Sequence, residues 1–348
     1  MEDKTTIKQI AQMAGVHRST VDKVLHDRPG VSPEVRLKIK NIIDALSYKP
    51  NAIGKALKHQ EKRQVIAAVC LHVCSEGEIK EGILRAQKEF GVFGYDVELY
   101  YTDFTDIDGQ VRILEMLFER GVAGVILQAL FSEKVSAVIA RLMDRGIPVA
   151  LVNSDLPDSG HLCYVGQDYY TAARTAARLT KELFQGQGKV AIINGSYDLM
   201  YGNHERSNEY VKYLNAICPR IEIVEIVGSQ ENEVPMFKST LDLLSRRKDI
   251  DCLYVTTGGM RGVGQAIKVA DMAQQTKVIC YDLFPDIIEL IHEGIVVGTI
   301  CQGLVEQGYR SFKTIVDYLF YGELPKEKNL FSETEIRIRE NTPKLPQA

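Results

Sequence analysis

The sequence predicts an all-α helix-turn-helix head joined to an α/β body of two lobes. Three observations carry that expectation. The first sixty or so residues read as short amphipathic helices punctuated by glycine and proline, whereas from residue 64 onward strand-like apolar runs alternate with helical patterns. That alternation runs through twice, which gives two consecutive βα stacks. The charge divides at the same place. Residues 1–63 hold thirteen Lys/Arg and seven Asp/Glu, a surplus of six positive charges, so the rest of a chain with net charge −4 carries −10. A basic end on an acidic body suits a head that binds DNA, with the body repelling it.

Residues 6–25 read TIKQIAQMAGVHRSTVDKVL. Thr6 and Gln9 have the spacing of a capping box, so a helix starts there. Ile7, Ile10, Ala11 and Ala14 recur at helical spacing and make one apolar face. Gly15 stands where a helix end needs a left-handed residue. A second helix runs from about residue 18 to 25, with Val21, Val24 and Leu25 turned inward. Helix, glycine turn, helix is the unit whose second helix lies in the DNA major groove. The polar positions His17, Arg18, Ser19, Asp22 and Lys23 are then the face offered to DNA. Arg18 suits a bidentate contact to guanine, Ser19 can donate or accept, and Lys23 suits a base or a phosphate. Taken alone, the same twenty residues also read as a solvated helical hairpin. The next stretch favours the head: Ser32 caps a third helix, Pro33 sits in its first turn, and Val35, Ile39, Ile42, Ile43 and Leu46 make its buried stripe. Tyr48-Lys49-Pro50-Asn51 ends it.

This run resembles the DNA-binding end of the lactose-repressor/galactose-repressor (LacI/GalR) family. TIKQIAQMAGV, STVDKVL, RPGVS and YKPNAIGKALK follow in that order, at the family spacing, over about sixty residues without a gap. The resemblance implies that Thr6, His17, Arg18, Ser19, Thr20 and Lys23 contact DNA. It implies that 51–58 is a hinge helix, with Asn51, Ala52 and Lys55 at the minor groove and Leu57 wedged into the central base step. Two departures stand out. The chain has Asp22-Lys23 where the family usually has Ser-Arg, and an acidic residue near phosphates is unfavourable unless it accepts from cytosine. It also has Gly54 where the family commonly has alanine, a change that costs about 1 kcal/mol in a helix. The hinge helix is therefore expected to be less stable without DNA.

With 348 residues the chain should hold more than one unit. The expected boundaries are a head over 1–50, a hinge and linker over 51–63, and an effector-binding and dimerisation body over 64–340. No run of eighteen apolar residues occurs, and MEDKTTIKQ is not a signal peptide, so the expected compartment is the cytoplasm. Seven cysteines without paired spacing read as reduced thiols, mostly in the core. Cys70 and Cys74 flank a possible ligand loop, but no metal and no cofactor is expected.

In the body, strands are expected at 65–73, 96–101, 124–130 and 149–153, with helices at 79–90, 111–118 and 134–145 between them. After Gly166 the pattern restarts. Helices fall at 172–184, 205–216, 234–245 and 263–270, and strands at 190–194, 221–227, 252–256 and 278–281. A helix at 287–292, a strand at 297–300 and a long helix at 305–321 follow. Two facing lobes make a cleft outside the carboxyl ends of their strands, where ligands of such sheets bind.

The order resembles the effector domain of the same family, which in turn looks like the type I periplasmic sugar-binding proteins. GVAGVIL, GIPVALVNSDLP, YVGQDYYTAARTAARL and ICYDLFPDIIELIHEGIVVGTICQ carry that resemblance. It implies more than one crossing between lobes, the first lobe holding about 64–166 plus roughly 295–325. It also implies a sugar-like effector touching Asn153, Arg206, Asp282 and Gln302. Loop position adds His72, Phe131, Asp155, Tyr197 and Thr257. Carboxylates, amides and arginine suit sugar hydroxyls, which both donate and accept. The plainer reading makes Asp282 a cap for the helix near Pro285 and Arg206 a structural ion-pair partner. Thr257-Gly258-Gly259 replaces the Asn-Asp of many relatives, and a glycine-rich helix start suits an anion.

An enzyme is not expected. GGMRGVG is not the G-x-G-x-x-G of a dinucleotide loop, and no Walker loop, G-x-S-x-G or H-E-x-x-H occurs. The resemblance implies a homodimeric regulator on a palindromic operator, in the first place a repressor relieved by a sugar. The alternative is co-repression by a purine or by a phosphorylated or other non-sugar metabolite. The tail KLPQA lacks a leucine-rich tetramer helix, so a dimer is preferred.

Overall fold

The computed structural model describes residues 7–25, 29–46, 63–72, 76–195 and 199–344. The chain divides into two compact units, a head of 1–63 grouped with Val92–Gly94 and a body of Gln64–Gly91 and Tyr95–Ala348.

The head holds α1 (Ile7–Ala14), α2 (Arg18–Leu25) and α3 (Pro33–Ala45). Ile10, Ala11 and Ala14 meet Val21, Val24 and Ile39 in one small core, and Val35, Ile42, Ile43, Leu46 and Leu25 pack on its margin. The stripe expected on α3 is thus fully buried at Ile39 and half-buried elsewhere. Gly15 has φ +69°, and Val16 N donates to Ala11 O at 3.0 Å to close α1. Ser32 Oγ accepts from Val35 N at 3.4 Å and Pro33 opens α3, as the sequence indicated. Thr6, and the expected hinge positions Asn51, Ala52, Lys55 and Leu57, lie outside the described residues.

The body begins with β1 (Gln64–Leu71), α4 (Glu76–Phe90), β2 (Tyr95–Thr102), α5 (Ile107–Arg120), β3 (Gly124–Leu127), α6 (Glu133–Asp144), β4 (Val149–Val152) and β5 (Cys163–Gly166). It continues through α7 (Tyr169–Leu183), β6 (Gly188–Asn194), α8 (Tyr201–Ile217), β7 (Ile221–Gly228), α9 (Glu233–Arg246), β8 (Cys252–Val255), α10 (Met260–Val269), β9 (Lys277–Tyr281), α11 (Pro285–His292) and β10 (Val296–Cys301). Then come α12 (Leu304–Val316), β11 (Asn329–Phe331) and β12 (Glu335–Arg337). The first sheet has the order β11-β5-β4-β3-β1-β2, with every neighbouring pair parallel. The second has the order β12-β10-β9-β8-β6-β7, parallel except for β12 against β10.

Parallel sheets bury both faces, so their strands read as continuous apolar runs. In the second sheet Ala191, Ile193, Leu253, Val255, Val278 and Cys280 feed one core, while Val190, Ile192, Cys252, Tyr254, Ile279 and Tyr281 feed the other. The chain passes between sheets three times: after β5, after β10, and between β11 and β12. The expected share of 295–325 in the first lobe is corrected here. Val296–Cys301 pairs with β9 and belongs to the second sheet, whereas α12 packs on α4 and β4 of the first lobe. The expected long helix is α-helical to Val316 and widens into a π turn over Asp317–Tyr321. The strands β5, β11 and β12 went unanticipated, being three or four residues each.

Candidate functional site

On the head, His17, Arg18, Ser19 and Lys23 are exposed, and Thr20 and Asp22 are half-buried. His17 Nδ1 accepts from Ser19 N at 3.3 Å and lies 2.8 Å from Ser19 Oγ. His17 therefore caps the start of α2 and holds Ser19, while Arg18 and Lys23 present charge from the same helix.

In the body, the polar groups expected at strand ends converge on the cleft between the sheets. Asn153 follows β4 and Asp282 follows β9, the equivalent strand of the other sheet. Both hold left-handed backbone, with φ +63° and +67°. Each is fixed at both ends. Asn153 N donates to Val165 O at 2.9 Å, and its carbonyl accepts from Tyr169 Oη at 2.9 Å. Asp282 N donates to Ile300 O at 3.0 Å, and its carbonyl accepts from Thr299 Oγ1 at 2.5 Å. Asp282 does not cap α11, whose first flanking residue is Phe284.

Two glutamines sit at the first two crossings, Gln167 after β5 and Gln302 after β10, and both are buried. Gln302 Nε2 donates to both Asp282 oxygens at 3.1 and 3.0 Å, and its Oε1 accepts from Asn153 Nδ2 at 3.2 Å. Gln307 Nε2 donates to Gln302 O at 2.8 Å and to Ser332 Oγ at 3.2 Å, which ties the second crossing to the third. Arg206, on α8, is buried. Its Nη2 and Nε donate to Gln167 Oε1 at 2.7 and 3.2 Å, and its Nη1 donates to Thr256 O at 3.1 Å. The guanidinium lies 4.0 Å from the Tyr281 ring centroid and 5.5 Å from that of Tyr169, so two aromatic faces hold a buried cation. Burial pushes the Asp282 carboxyl from 3.8 up to about 6, against Arg206 and Gln302, which lower it.

Asn153, Arg206, Thr257, Asp282 and Gln302 all line this cleft. The structure places the other expected residues elsewhere. His72 stacks on Tyr101 at 5.1 Å and pairs with Glu76 at 3.2 Å, beside a surface depression between β2 and α5. Asp155 turns into its own loop, where its Oδ1 accepts from Leu156 N at 2.8 Å and lies 3.9 Å from His161 Nε2. Phe131 is 43 % exposed and stacks on Tyr201 at 5.5 Å, and its N–H donates to Leu199 O at 2.8 Å. Tyr197 and Cys74 lie outside the described residues. Cys70 is buried in β1, and burial pushes its thiol up to about 12.

Sequence reasoning missed Tyr169, Tyr281, Asn203 and Glu231, which also line the cleft. Tyr281 adjoins Asp282 and Tyr169 follows the first crossing, so strand-end position could have found both. Glu231 follows β7 by three residues, as Asp155 follows β4, so the same rule reaches it; Asn203, inside α8, carries no such signal. Asn203 Nδ2 donates to Glu231 Oε1 at 2.6 Å, and the Thr257 side chain also bonds that carboxylate. Glu231 thus stands beside the glycine-rich start of α10, a feature that by itself suits an anion. Gly259 flanks that helix with φ +81°. Burial raises the Glu231 carboxyl above its ordinary value.

Comparison with known proteins bears on both units. Residues 6–51 match the family model described as bacterial regulatory proteins, lacI family, and residues 75–323 match a periplasmic binding protein domain. The chain is 24% identical to the HTH-type transcriptional regulator MalR of Staphylococcus xylosus over 251 residues, 70% of each chain. It is 31% identical to the HTH-type transcriptional regulator RegA of Clostridium saccharobutylicum over 218 residues, 63% of each. The match to catabolite control protein A of Streptococcus mutans spans 56% of that relative, at 29% identity. Among solved structures, GanP, a glucose-galactose binding protein from Geobacillus stearothermophilus, superposes with a TM-score of 0.75 at 26% identity, over 81% of this chain and 100% of that one. A solute-binding protein from Burkholderia graminis in complex with D-arabinose has the same TM-score at 23% identity, over 80% and 96%, and shares the fold.

Proposed function

The chain belongs to the lacI family of bacterial regulatory proteins, a DNA-binding head on a periplasmic-binding-protein domain, and from that premise we propose that it is a repressor whose grip on its operator is controlled by a small sugar-like effector in the interlobe cleft. The family is one of transcriptional regulators, not of enzymes. One observation carries the effector reading: Arg206, clasped by Gln167 and two tyrosine rings, faces a cleft shared with Asp282, Asn153 and Gln302. Such a set offers donors and acceptors at short spacing around aromatic faces, which matches adjacent hydroxyls on a ring. GanP, a glucose-galactose binding protein, supports the same class.

Asn153 belongs to the first lobe and Asp282 to the second, and Gln302 joins them at a crossing. A ligand that replaces those bonds acts on the angle between lobes. Two such bodies in a homodimer would carry two heads onto a palindromic operator, and the lobe angle would set the spacing of the heads. Effector and operator must then change each other's affinity by one common factor.

The test is a thermal-shift screen of the purified protein against pentoses, hexoses, polyols and purine bases, followed by operator binding with and without each hit. A sugar that raises the melting temperature and weakens operator binding is the expected result. A purine that strengthens operator binding would replace this reading with co-repression.

A further inference from the structure

Acidic groups outnumber basic ones in the cleft. Among the described residues that line it, Asp282 and Glu231 are the carboxylates and Arg206 is the cation. Arg206 spends its hydrogen bonds on neutral acceptors: Gln167 Oε1, Thr256 O and, at 3.4 Å, Gln302 Oε1. Its charge is spread over two ring faces and not aimed along a carboxylate fork. The start of α10 offers backbone N–H groups of the kind that hold anions, but Glu231 already stands against Thr257 there, fixed by Asn203. A carboxylate has about four lone-pair sites, so Glu231 keeps acceptor capacity after those two bonds.

We propose that Glu231 is a specificity-determining acceptor that admits a ligand hydroxyl and confines the cleft to uncharged polyhydroxy compounds, excluding their phosphorylated and carboxylated analogues. This rests on the reading of the cleft as an effector site. A hydroxyl donated to Glu231 makes a charge-assisted bond, and a second hydroxyl does the same at Asp282. A phosphate or carboxylate at the start of α10 instead meets a like charge in a partly buried setting, where water screens it weakly. Burial already raises both carboxyls and a further negative neighbour raises them more, so the charge filter is read well above the ordinary carboxylate range.

The experiment titrates the full-length protein at pH 8 with D-glucose, D-galactose, D-arabinose and D-xylose. The same titration is made with glucose 6-phosphate, arabinose 5-phosphate, D-glucuronate and D-galacturonate. A neutral sugar should bind, and its phosphate and uronate should bind at least about tenfold more weakly. That comparison needs no variant. Glu231→Gln keeps the shape and removes the charge, and should narrow the gap to about threefold or less; Glu231→Ala serves if the first does not fold. An anion that binds the unaltered protein as tightly as its neutral parent, and loses affinity in Asp282→Asn, overturns the charge filter while leaving the cleft as the effector site. A Glu231→Gln protein with unchanged discrimination overturns the role of Glu231. Silence across both sets overturns the sugar reading itself, and the filter falls with it.

Discussion

Asn153 and Asp282 hold backbone that most side chains adopt only under strain, and asparagine and aspartate are the residues that tolerate it best. Substitutions there separate chemistry from conformation. Asp282→Asn keeps the left-handed backbone and removes the charge, so it should lower effector affinity at least about tenfold while leaving operator binding and melting temperature near wild type. Asp282→Ala adds about 1–2 kcal/mol of backbone cost and should lower urea stability as well. Loss of operator binding in Asp282→Asn would make the residue structural. On the head, Arg18→Ala should cost about 1–3 kcal/mol and relax preference at one operator position, as competition against single-base variants would read. A uniform loss would make Arg18 a phosphate contact. His161 carries the pH signature. Burial and, secondarily, Lys328 push its imidazole down to about 4, so the unfolded chain takes up a proton below about 6.5 while the folded chain does not. Its contribution to stability is therefore present above pH 6.5 and fades as pH falls through about 4, by about 3 kcal/mol in all. Asp282 acts in the opposite sense between 3.8 and about 6, because its folded carboxyl protonates first. The check is thus the difference between wild type and His161→Asn in urea melts at pH 7.5 and pH 5. The variant should lose less stability on acidification. At this scale strand-end position and matched motifs made Arg206, Asp282, Asn153 and Gln302 legible. Glu231 was passed over: it follows β7 as Asp155 follows β4, but only the fold brings that loop to Thr257.

At the scale of elements, backbone proximity decides more than side-chain pattern. The chain returns to the first lobe through α12, which lies against α4 so closely that a Cβ on Gly82 would fall on the Val305 carbonyl, and one on Gly308 on that of Ile79. The obstacle is backbone on a packed helix, which cannot rotate away. Gly308→Ala should destabilise the body by about 1–3 kcal/mol or more by denaturant unfolding, although alanine is the better helix former. A stabilised variant would mean that α12 slides on α4 at little cost. Neither glycine announces this in sequence, where each reads as a tolerated interruption of a helical pattern. The alternation of strands and helices was legible because strands buried on both faces leave unbroken apolar runs, as Val278 to Tyr281 do. The short β11 and β12 were not. Three residues cannot display a period, and each is a strand because an existing sheet edge accepts it.

At the scale of the whole body, the two sheets repeat one plan: β1 to β5 take the same spatial order as β6 to β10, and β11 and β12 cap the equivalent edges. Asn153 and Asp282 are therefore counterparts, as are Gln167 and Gln302, and the cleft is the place where the two copies face each other with different side chains. Gln302, at the second crossing, lines that cleft. Another contact between the lobes joins Phe131, after β3, to Leu199 and Tyr201, after β6, through one backbone hydrogen bond and one aromatic stack. An aromatic pair of this kind contributes about 0.5–1.5 kcal/mol. If it stabilises the closed arrangement without touching the ligand, Phe131→Ala should weaken every effector by the same factor, about two- to tenfold, and leave their order unchanged. The effector concentration that shifts operator binding should rise by that factor too, because a ligand moves the lobes only by its differential affinity for their two arrangements. A changed order of preference among sugars would place Phe131 against the ligand, as its position after a strand first suggested. The same titration thus decides whether this ring acts on the ligand or on the angle between the lobes.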